Sequence, residues 1–349
     1  MYRFLAAALA FAGSVYAFDA TDSIRKSAPV GPATRMTFRA EFGSINVVPG
    51  GGKTVDVEAE FRGYPSSRRE FDDMLRDFDL QVMQQGSDAE VKGTFRAGWE
   101  SHVSSNLFDF LFGNHICHNG RCLKYTWLRS IDYRITVPQQ FNADVSTSGG
   151  SVSVGALKGE VIAHTAGGSL HFDRIEGPVN GSTSGGSIVL NGAKGRATVH
   201  TSGGSISLRD IAGDVDASTS GGSITMDGVT GRVRAHTSGG HITASDISGA
   251  IDASTSGGGV TATLLSQPKQ DCRLTTSGGS IDIRLAGDAH VDLDASTSGG
   301  RVATDFPTPY RDDRHPHELH VPINGGGPQL YLHTSGGGIA VHRAGAHSL

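Results

Sequence analysis

Over its second half the chain alternates apolar and polar positions in short runs, and the runs return every 18 residues. A tetrapeptide, Thr-Ser-Gly-Gly, marks the phase. Four and two residues before its Thr the side chain is small or apolar, as in Val161 and Ala163, Ala197 and Val199, Val215 and Ala217, Val233 and Ala235, or Cys272 and Leu274. Five and seven residues after it stand Val152 and Val154, Leu170 and Phe172, Ile188 and Leu190, Ile206 and Leu208, Ile224 and Met226. Alternation of this kind is the period of a strand with one buried face. A further apolar residue ten after the Thr (Leu157, Ile175, Ile211, Val229, Ile247) precedes a glycine-containing corner. Each unit therefore predicts two or three short strands separated by glycine corners.

The tetrapeptide begins at Thr147, Thr183, Thr201, Thr219, Thr237 and Thr255, with Thr-Ala-Gly-Gly at Thr165, and looser copies begin at Thr276, Thr297 and Thr334. A fixed period of this size is the signature of a solenoid, in which each coil buries its apolar face only against its neighbours. The predicted class is all-β: a single-stranded parallel β-solenoid, or β-helix, of about 18 residues per coil, preceded by a small β-rich region with one short helix. By parity with its apolar neighbours the motif Thr points inward, where its hydroxyl is expected to hydrogen-bond along the ladder. About ten coils at 4.8 Å each would make a rod about 45 Å long.

The outward positions offer a check on stacking. Three before the Thr stand Asp216, Arg234, Asp252, Arg273 and Asp294, and five before it Arg196, Asp214 and Arg232. Coils stacked in chain order make these opposite charges neighbours, worth a few tenths of a kcal/mol per pair. The same order sets Asp271 beside Asp292, a like-charge pair the pattern does not explain.

Outside the repeats, residues 1–17 read as a secretory signal peptide, with Arg3, an apolar stretch from Phe4 to Ala12 and a small-residue cleavage site at Val15-Tyr16-Ala17. The stretch is shorter than the roughly 20 residues that span a bilayer. No cysteine follows the cleavage point, so lipidation there is not indicated, and no transmembrane segment is expected in the mature chain. Residues 18–35, polar with two prolines, read as a flexible leader. Residues 36–140 form the β-rich region or cap, with strands over Met36 to Val48 and Lys53 to Phe61, a helix from about Ser67 to Asp77 and a strand closing in Ile135-Thr136-Val137-Pro138. The solenoid occupies 141–345, with an irregular insertion near 305–329.

Composition narrows function mostly by exclusion. Gly, at 49 residues, is concentrated in the repeats, which marks turn chemistry and not disorder. A formal net charge of −5 without a basic run gives no footprint for nucleic acid. Cys117 and Cys122 flank the turn-like His118-Asn119-Gly120-Arg121, and in an oxidising compartment that spacing reads as a disulfide. The rival reading is a metal site of His115, Cys117, His118 and Cys122, though zinc sites usually show two paired spacings and here there is one cluster. Cys272 sits at an apolar repeat position and reads as a buried, inert thiol.

The residue before each Thr alternates: Ser146, His164, Ser182, His200, Ser218, His236, Ser254. Histidines in alternate coils would stand about 9.6 Å apart, too far to share an ion whose ligands lie within about 2.1 Å, so Ser against His packing is expected. The stretch Arg311-Asp312-Asp313-Arg314-His315-Pro316-His317-Glu318-Leu319-His320 is the irregular acidic and histidine-rich one, read as an extruded loop. No cofactor, metal or catalytic residue is expected.

The strand ending Ile135-Thr136-Val137-Pro138, followed by tandem Thr-Ser-Gly-Gly-Ser-Ile units with glycine corners, resembles the adhesin-type domain family of bacterial β-strand-repeat envelope proteins. The resemblance covers roughly residues 36 to 345. It implies an exported envelope β-solenoid with no established catalytic residues, in a family of unassigned function named largely for architecture. The reading is therefore a non-enzymatic, adhesin-like or scaffold protein, periplasmic, cell-surface or secreted, presenting polar ladders to a surface, a glycan or an envelope protein. The alternative is a polysaccharide-acting β-helix hydrolase or lyase.

Overall fold

The computed structural model describes residues 18–30, 35–85, 88–96, 99–101, 117–118, 121–123, 125–264, 266–308 and 316–344, and side chains throughout except at 85, 99–101, 117–118 and 121–123. The signal segment thus lies outside the described residues. The N-terminal third holds β1 (Ala20–Pro29), β2 (Arg35–Ala40), β3 (Ser44–Gly50), β4 (Thr54–Gly63), α1 (Arg68–Asp77), β5 (Phe78–Gln85), β6 (Asp88–Phe95), the short β7 (Trp99–Ser101), β8 (Cys117–His118) and β9 (Arg121–Leu123), and β10 (Leu128–Pro138). From there the chain alternates between two walls. Strands that end on the motif Thr are β11 (Asn142–Thr147), β13 (Val161–Thr165), β15 (Val179–Thr183), β17 (Ala197–Thr201), β19 (Val215–Thr219), β21 (Val233–Thr237), β23 (Ile251–Thr255), β25 (Cys272–Thr276), β27 (Val291–Thr297) and β30 (Gln329–Thr334). Between them run β12 (Val152–Val154), β14 (Leu170–Ile175), β16 (Ile188–Ala193), β18 (Ile206–Ile211), β20 (Ile224–Val229), β22 (Ile242–Ile247), β24 (Val260–Leu264), β26 (Ile281–Leu285), β28 (Val302–Thr304), the returning β29 (Glu318–Ile323) and β31 (Ile339–Arg343).

The first set, with β29 added at its edge, forms a threonine sheet, and the rest of the second set an opposite sheet. Their inward residues make one continuous core. Equivalent residues of successive units are hydrogen-bonded neighbours: Thr165 beside Thr183, Thr183 beside Thr201, Ile188 beside Ile206, Ile206 beside Ile224. Each regular coil has two strands and not three. The apolar residue ten after the Thr lies at the end of the second strand, past a turned residue that is left-handed at Asp210, Gly228 and Asp246 (φ 51°, 70° and 50°).

The glycine columns follow from how closely coils approach. A Cβ on the second glycine of the motif would lie 2.1 Å from the Gly186 carbonyl oxygen at Gly204 and 2.0 Å from Gly204 O at Gly222. No side chain fits there at any rotamer. The first glycine is freer: a Cβ on Gly203 meets Gly185 O at 3.3 Å. A second column lines the opposite corner, where a Cβ on Gly231 would sit 2.3 Å from Gly213 O.

Both chain ends depart from simple stacking in chain order. At the start, β2 and β3 form a coil lying between β11/β12 on one side and β6/β10 on the other, all parallel. Residues 36–140 therefore add rungs to the stack itself. The stretch Met36 to Val48 is broken at a coil corner, where Gly43 takes φ 112° and Ala40 pairs with Thr147 as Ile45 does with Val152. At the finish, β30 pairs with β25 on one side and β27 on the other, and β31 lies between β26 and β28. The last coil in sequence is thus the penultimate coil in space. Gln329 and Tyr331 stand where the sequence order set Asp292 and Asp294 against Asp271 and Arg273, which removes the like-charge clash.

Antiparallel strands cover three of the resulting edges: β5 on β6, β1 outside β4 on β10, and β29, within the 305–329 segment, on β27. These strands become the new edges, and charged residues such as Arg25 and Lys26 on β1, and Pro322 on β29, disfavour further pairing there. Residues 18–35 are accordingly not all leader. Residues Ala20 to Pro29 pair along the whole of β4, and their polarity reflects an edge strand: Arg25 bridges Glu58 at 2.6 Å, Ser27 donates to Asp56 at 2.5 Å, and Asp22 holds Arg68 at 2.8 Å. Ser67 caps α1 by accepting from the Glu70 amide, Glu70 reaches back to the Ser66 amide, and Phe71 and Met74 pack inward.

The carboxylates of this end are tuned by their partners. A hydrogen bond from Arg68 holds Asp22 below its ordinary value, one from Arg25 does so for Glu58, and one from Arg96 for Asp79. Lowered carboxylates favour the folded state above the unfolded values near pH 4, and that contribution fades as pH falls through the lowered ones. The buried polar groups of the inner rungs are threonine hydroxyls, which carry no charge to lose in acid.

Hydrogen exchange at about pH 2.5 should therefore release the amides of β1 while β15 to β21 stay protected; simultaneous release would refute the assignment of acid sensitivity to this end. Thermal melting should separate the glycine columns: Gly204→Ala is expected to cost several kcal/mol and Gly203→Ala under about 1, and equal losses would contradict the steric reading.

Candidate functional site

The motif threonines are structural. Each is buried, from 0% exposed at Thr201 to 6% at Thr147 and Thr165, with Thr183, Thr219, Thr237, Thr255, Thr276, Thr297 and Thr334 between. Thr165 donates its hydroxyl to Gly150 O of the preceding coil at 2.8 Å and accepts from the Gly168 amide of its own corner at 3.3 Å. Thr201 repeats this with Gly186 O and the Gly204 amide, and Thr237 with Gly222 O and the Gly240 amide. The interleaved end obeys the same rule, since Thr334 donates to Gly279 and Thr297 to Gly337. One buried hydroxyl thus satisfies a carbonyl and an amide that the corner leaves unpaired.

A second polar column runs beside it. The Ser187 amide donates to Ser169 Oγ and the Ser205 amide to Ser187 Oγ, both at 3.2 Å. His241 takes a serine's place without breaking the column: its Nδ1 accepts from the Gly259 amide at 2.9 Å, which leaves the neutral ring's proton on Nε2. The outward histidines pair with serines of the next coil, His200 with Ser218 and His236 with Ser254, each at 2.8 Å. His164 does so with Ser182 and His333 with Ser296. They form a ladder, and no cluster of three metal-ligating side chains occurs among the described residues.

Cys117 and Cys122 are directly opposed on β8 and β9, and their side chains lie outside the described residues, as do His115, His118 and residues 311–315. Of the histidine-rich stretch, His317 Nδ1 meets Gly300 O at 2.5 Å and His320 Nδ1 lies 3.1 Å from Asp294, so both are engaged with the final coil. Cys272 is buried, and burial raises its thiol pKa, as expected of an inert position.

The feature missed in the sequence is a cleft on the outer face of the threonine sheet. Two adjoining recesses of about 520 and 620 Å³ share Arg232, Arg234 and Gln270. The unit between Thr255 and Thr276 is three residues longer than the 18-residue units before it, and the surplus stands out as a wall at 266–270. Pro268 is buried at its base, while the Gln267 amide group clamps His290, donating to its carbonyl at 2.8 Å and accepting from its amide at 2.7 Å. Across the floor the acids are matched: Asp214 bonds Arg196 at 3.2 Å and the Arg232 amide at 3.0 Å, and Asp216 lies 3.8 Å from Arg234. The Arg232 guanidinium instead meets the neutral Gln270 at 2.5 Å, and Arg273 lies over the Tyr331 ring at 4.5 Å. The signal for this cleft was the lengthened unit; Tyr331 could not be added to it until the last coil was known to lie beside β25.

The profile described as Toastrack DUF4097 matches residues 129–342. Comparison with curated proteins finds no match. Among solved structures, the chain is similar to a candidate adhesin from Parabacteroides merdae (11% identity, TM-score 0.41), a candidate lipid-binding protein from Parabacteroides distasonis (12%, 0.36) and a candidate adhesin from Bacteroides fragilis (13%, 0.31). Each similarity covers 93% of this chain and 97% of the other.

The hydroxyl network makes its own prediction. Thr201→Val keeps shape and strands two buried backbone groups, and should cost about 1–3 kcal/mol in denaturant unfolding; Thr201→Ser keeps both hydrogen bonds and should cost less. The opposite ranking would show that the methyl, and not the hydroxyl, holds the column.

Proposed function

The chain belongs to the Toastrack DUF4097 family, and from that premise we propose that it is an exported, non-enzymatic envelope protein: an adhesin-like scaffold presenting a rigid polar face to a glycan or protein surface. The observation that carries this is the distribution of charge on the threonine sheet. Hydrolysis or lysis of a polysaccharide calls for two carboxylates free to act at a defined separation, or a metal with a base. On this face Asp216 and Asp252 have Arg234 between them in register, and Asp214 is held from two sides. Such a face binds by complementarity: Asp252 is flanked in register by Arg234 and Arg273, and Asp271 accepts from the Gln329 backbone amide at 2.9 Å.

Export is supported by the reading of residues 1–17, and no helix among the described residues is long and apolar enough to cross a membrane. The opposition of Cys117 and Cys122 supports a disulfide, because opposed residues of an antiparallel pair lie about 4.5–5.5 Å apart at Cα, inside the range a disulfide bridges. In that compartment the pair would staple the β8–β9 hairpin.

A glycan array read in parallel with a reducing-end assay on the bound ligands tests the proposal. Binding without release of new reducing ends is the expected result. Reducing ends, or unsaturated ends, accumulating in proportion to protein would establish the enzyme instead.

A further inference from the structure

We propose that the cleft beside the 266–270 wall is a binding site for an acidic glycan, its carboxylate or sulfate groups taken by Arg273, Lys269 and Arg232. The inference rests on the scaffold reading and names its ligand class.

Three observations converge. First, Arg232 and Arg273 make no ion pair among the described residues, although Asp252 flanks Arg273 in register. Arg196 and Arg234 have Asp214 and Asp216 within 4 Å, whereas the Arg232 side chain is held by a neutral amide, and Arg273 by an aromatic ring. Second, stacking on Tyr331 fixes the Arg273 guanidinium plane while leaving its edge of N–H donors unspent, and that fork matches a carboxylate or sulfate two oxygens at a time. Tyr331 itself is braced by stacking against His333, with ring centroids 6.3 Å apart. Third, the site is rigid and shaped. The wall bearing Lys269 and Gln270 is pinned through Gln267 to His290, and the recesses run across several coils, which suits a linear polymer lying over the rungs.

A glycan is favoured over an acidic peptide because the recess is open and offers side-chain groups: the Gln270 amide, the acceptors Asp252 and Asp271 for sugar hydroxyls, and the Tyr331 ring. A peptide added by strand pairing would need a free backbone edge, and this surface lies in the middle of a sheet. Tyr331 and Gln329 reach the cleft only because the last coil is inserted beside β25, so the interleaved end completes the site.

Isothermal titration calorimetry of the full mature chain with oligogalacturonate, its methyl ester and poly-glutamate tests this. Oligogalacturonate should bind, more weakly at high salt, and the ester at least tenfold more weakly. Arg273→Gln should weaken binding about tenfold and Lys269→Gln by less, while Arg209→Gln, on the opposite sheet, should leave it unchanged. Melting curves check that each variant is folded, and Lys269→Gln on the exposed wall keeps the test open should Arg273→Gln unfold. Equal affinity for acid and ester, tighter binding of poly-glutamate, or indifference to both cleft substitutions would overturn the inference. Absence of binding to all three probes would also overturn it while leaving the scaffold reading to the glycan array, and cleavage of the oligomer would overturn the scaffold reading itself.

Discussion

A buried threonine hydroxyl shared between two coils is the interaction on which the rest of the molecule depends. The corner after each threonine strand must pass so close to the corner beneath it that only glycine fits, and such a corner leaves carbonyls and amides without strand partners. Left unpaired, each would cost about 1–3 kcal/mol. Thr Oγ1 resolves the conflict by donating down to the preceding corner and accepting from its own. Close approach and polar satisfaction are therefore one constraint, and that is why threonine and the second glycine recur together, while the serine between them varies to alanine at Ala166.

A stack built this way has two open ends, and the chain treats them alike. At each end a coil is laid down, the chain moves past it, and a coil closer to the middle is flanked on both sides. Neither the β2/β3 coil nor the β30/β31 coil is an edge. Fraying of the β30/β31 coil thus requires separating its strands from two neighbours, whereas β1 is itself an edge strand on β4 and β28 is, among the described residues, the edge without an antiparallel strand. The arrangement also has a chemical result, since it sets Tyr331 beside Arg273.

Legibility in the sequence followed how strictly each position obeys that constraint. The threonine column, the inward apolar rows and the serine–histidine ladder could be read because every coil imposes the same requirement on them. The coil at Ala40 to Ile45 could not. There Ala40 stands for Thr and Phe42 for the first glycine, and only Gly43-Ser44-Ile45 keeps the motif. The order of the last coils was hidden for a different reason: units that stack equally well on any neighbour carry no label of their place. Its trace was the Asp271 and Asp292 clash, relieved by Gln329, whose amide donates to Asp271 at 2.9 Å. The cleft needed both the lengthened unit and the interleaving, so its cations were visible singly and its composition was not.

The proposed function and its ligand both assume a rigid stack in which one rung dictates the position of the next. The threonine hydroxyl protons report on this directly. Nuclear magnetic resonance in water should show slowly exchanging hydroxyl signals for Thr183, Thr201, Thr219 and Thr237, each with Overhauser contacts to the second motif glycine of the preceding coil. Hydroxyl protons in fast exchange with solvent, or contacts confined to residues of the same coil, would contradict the account.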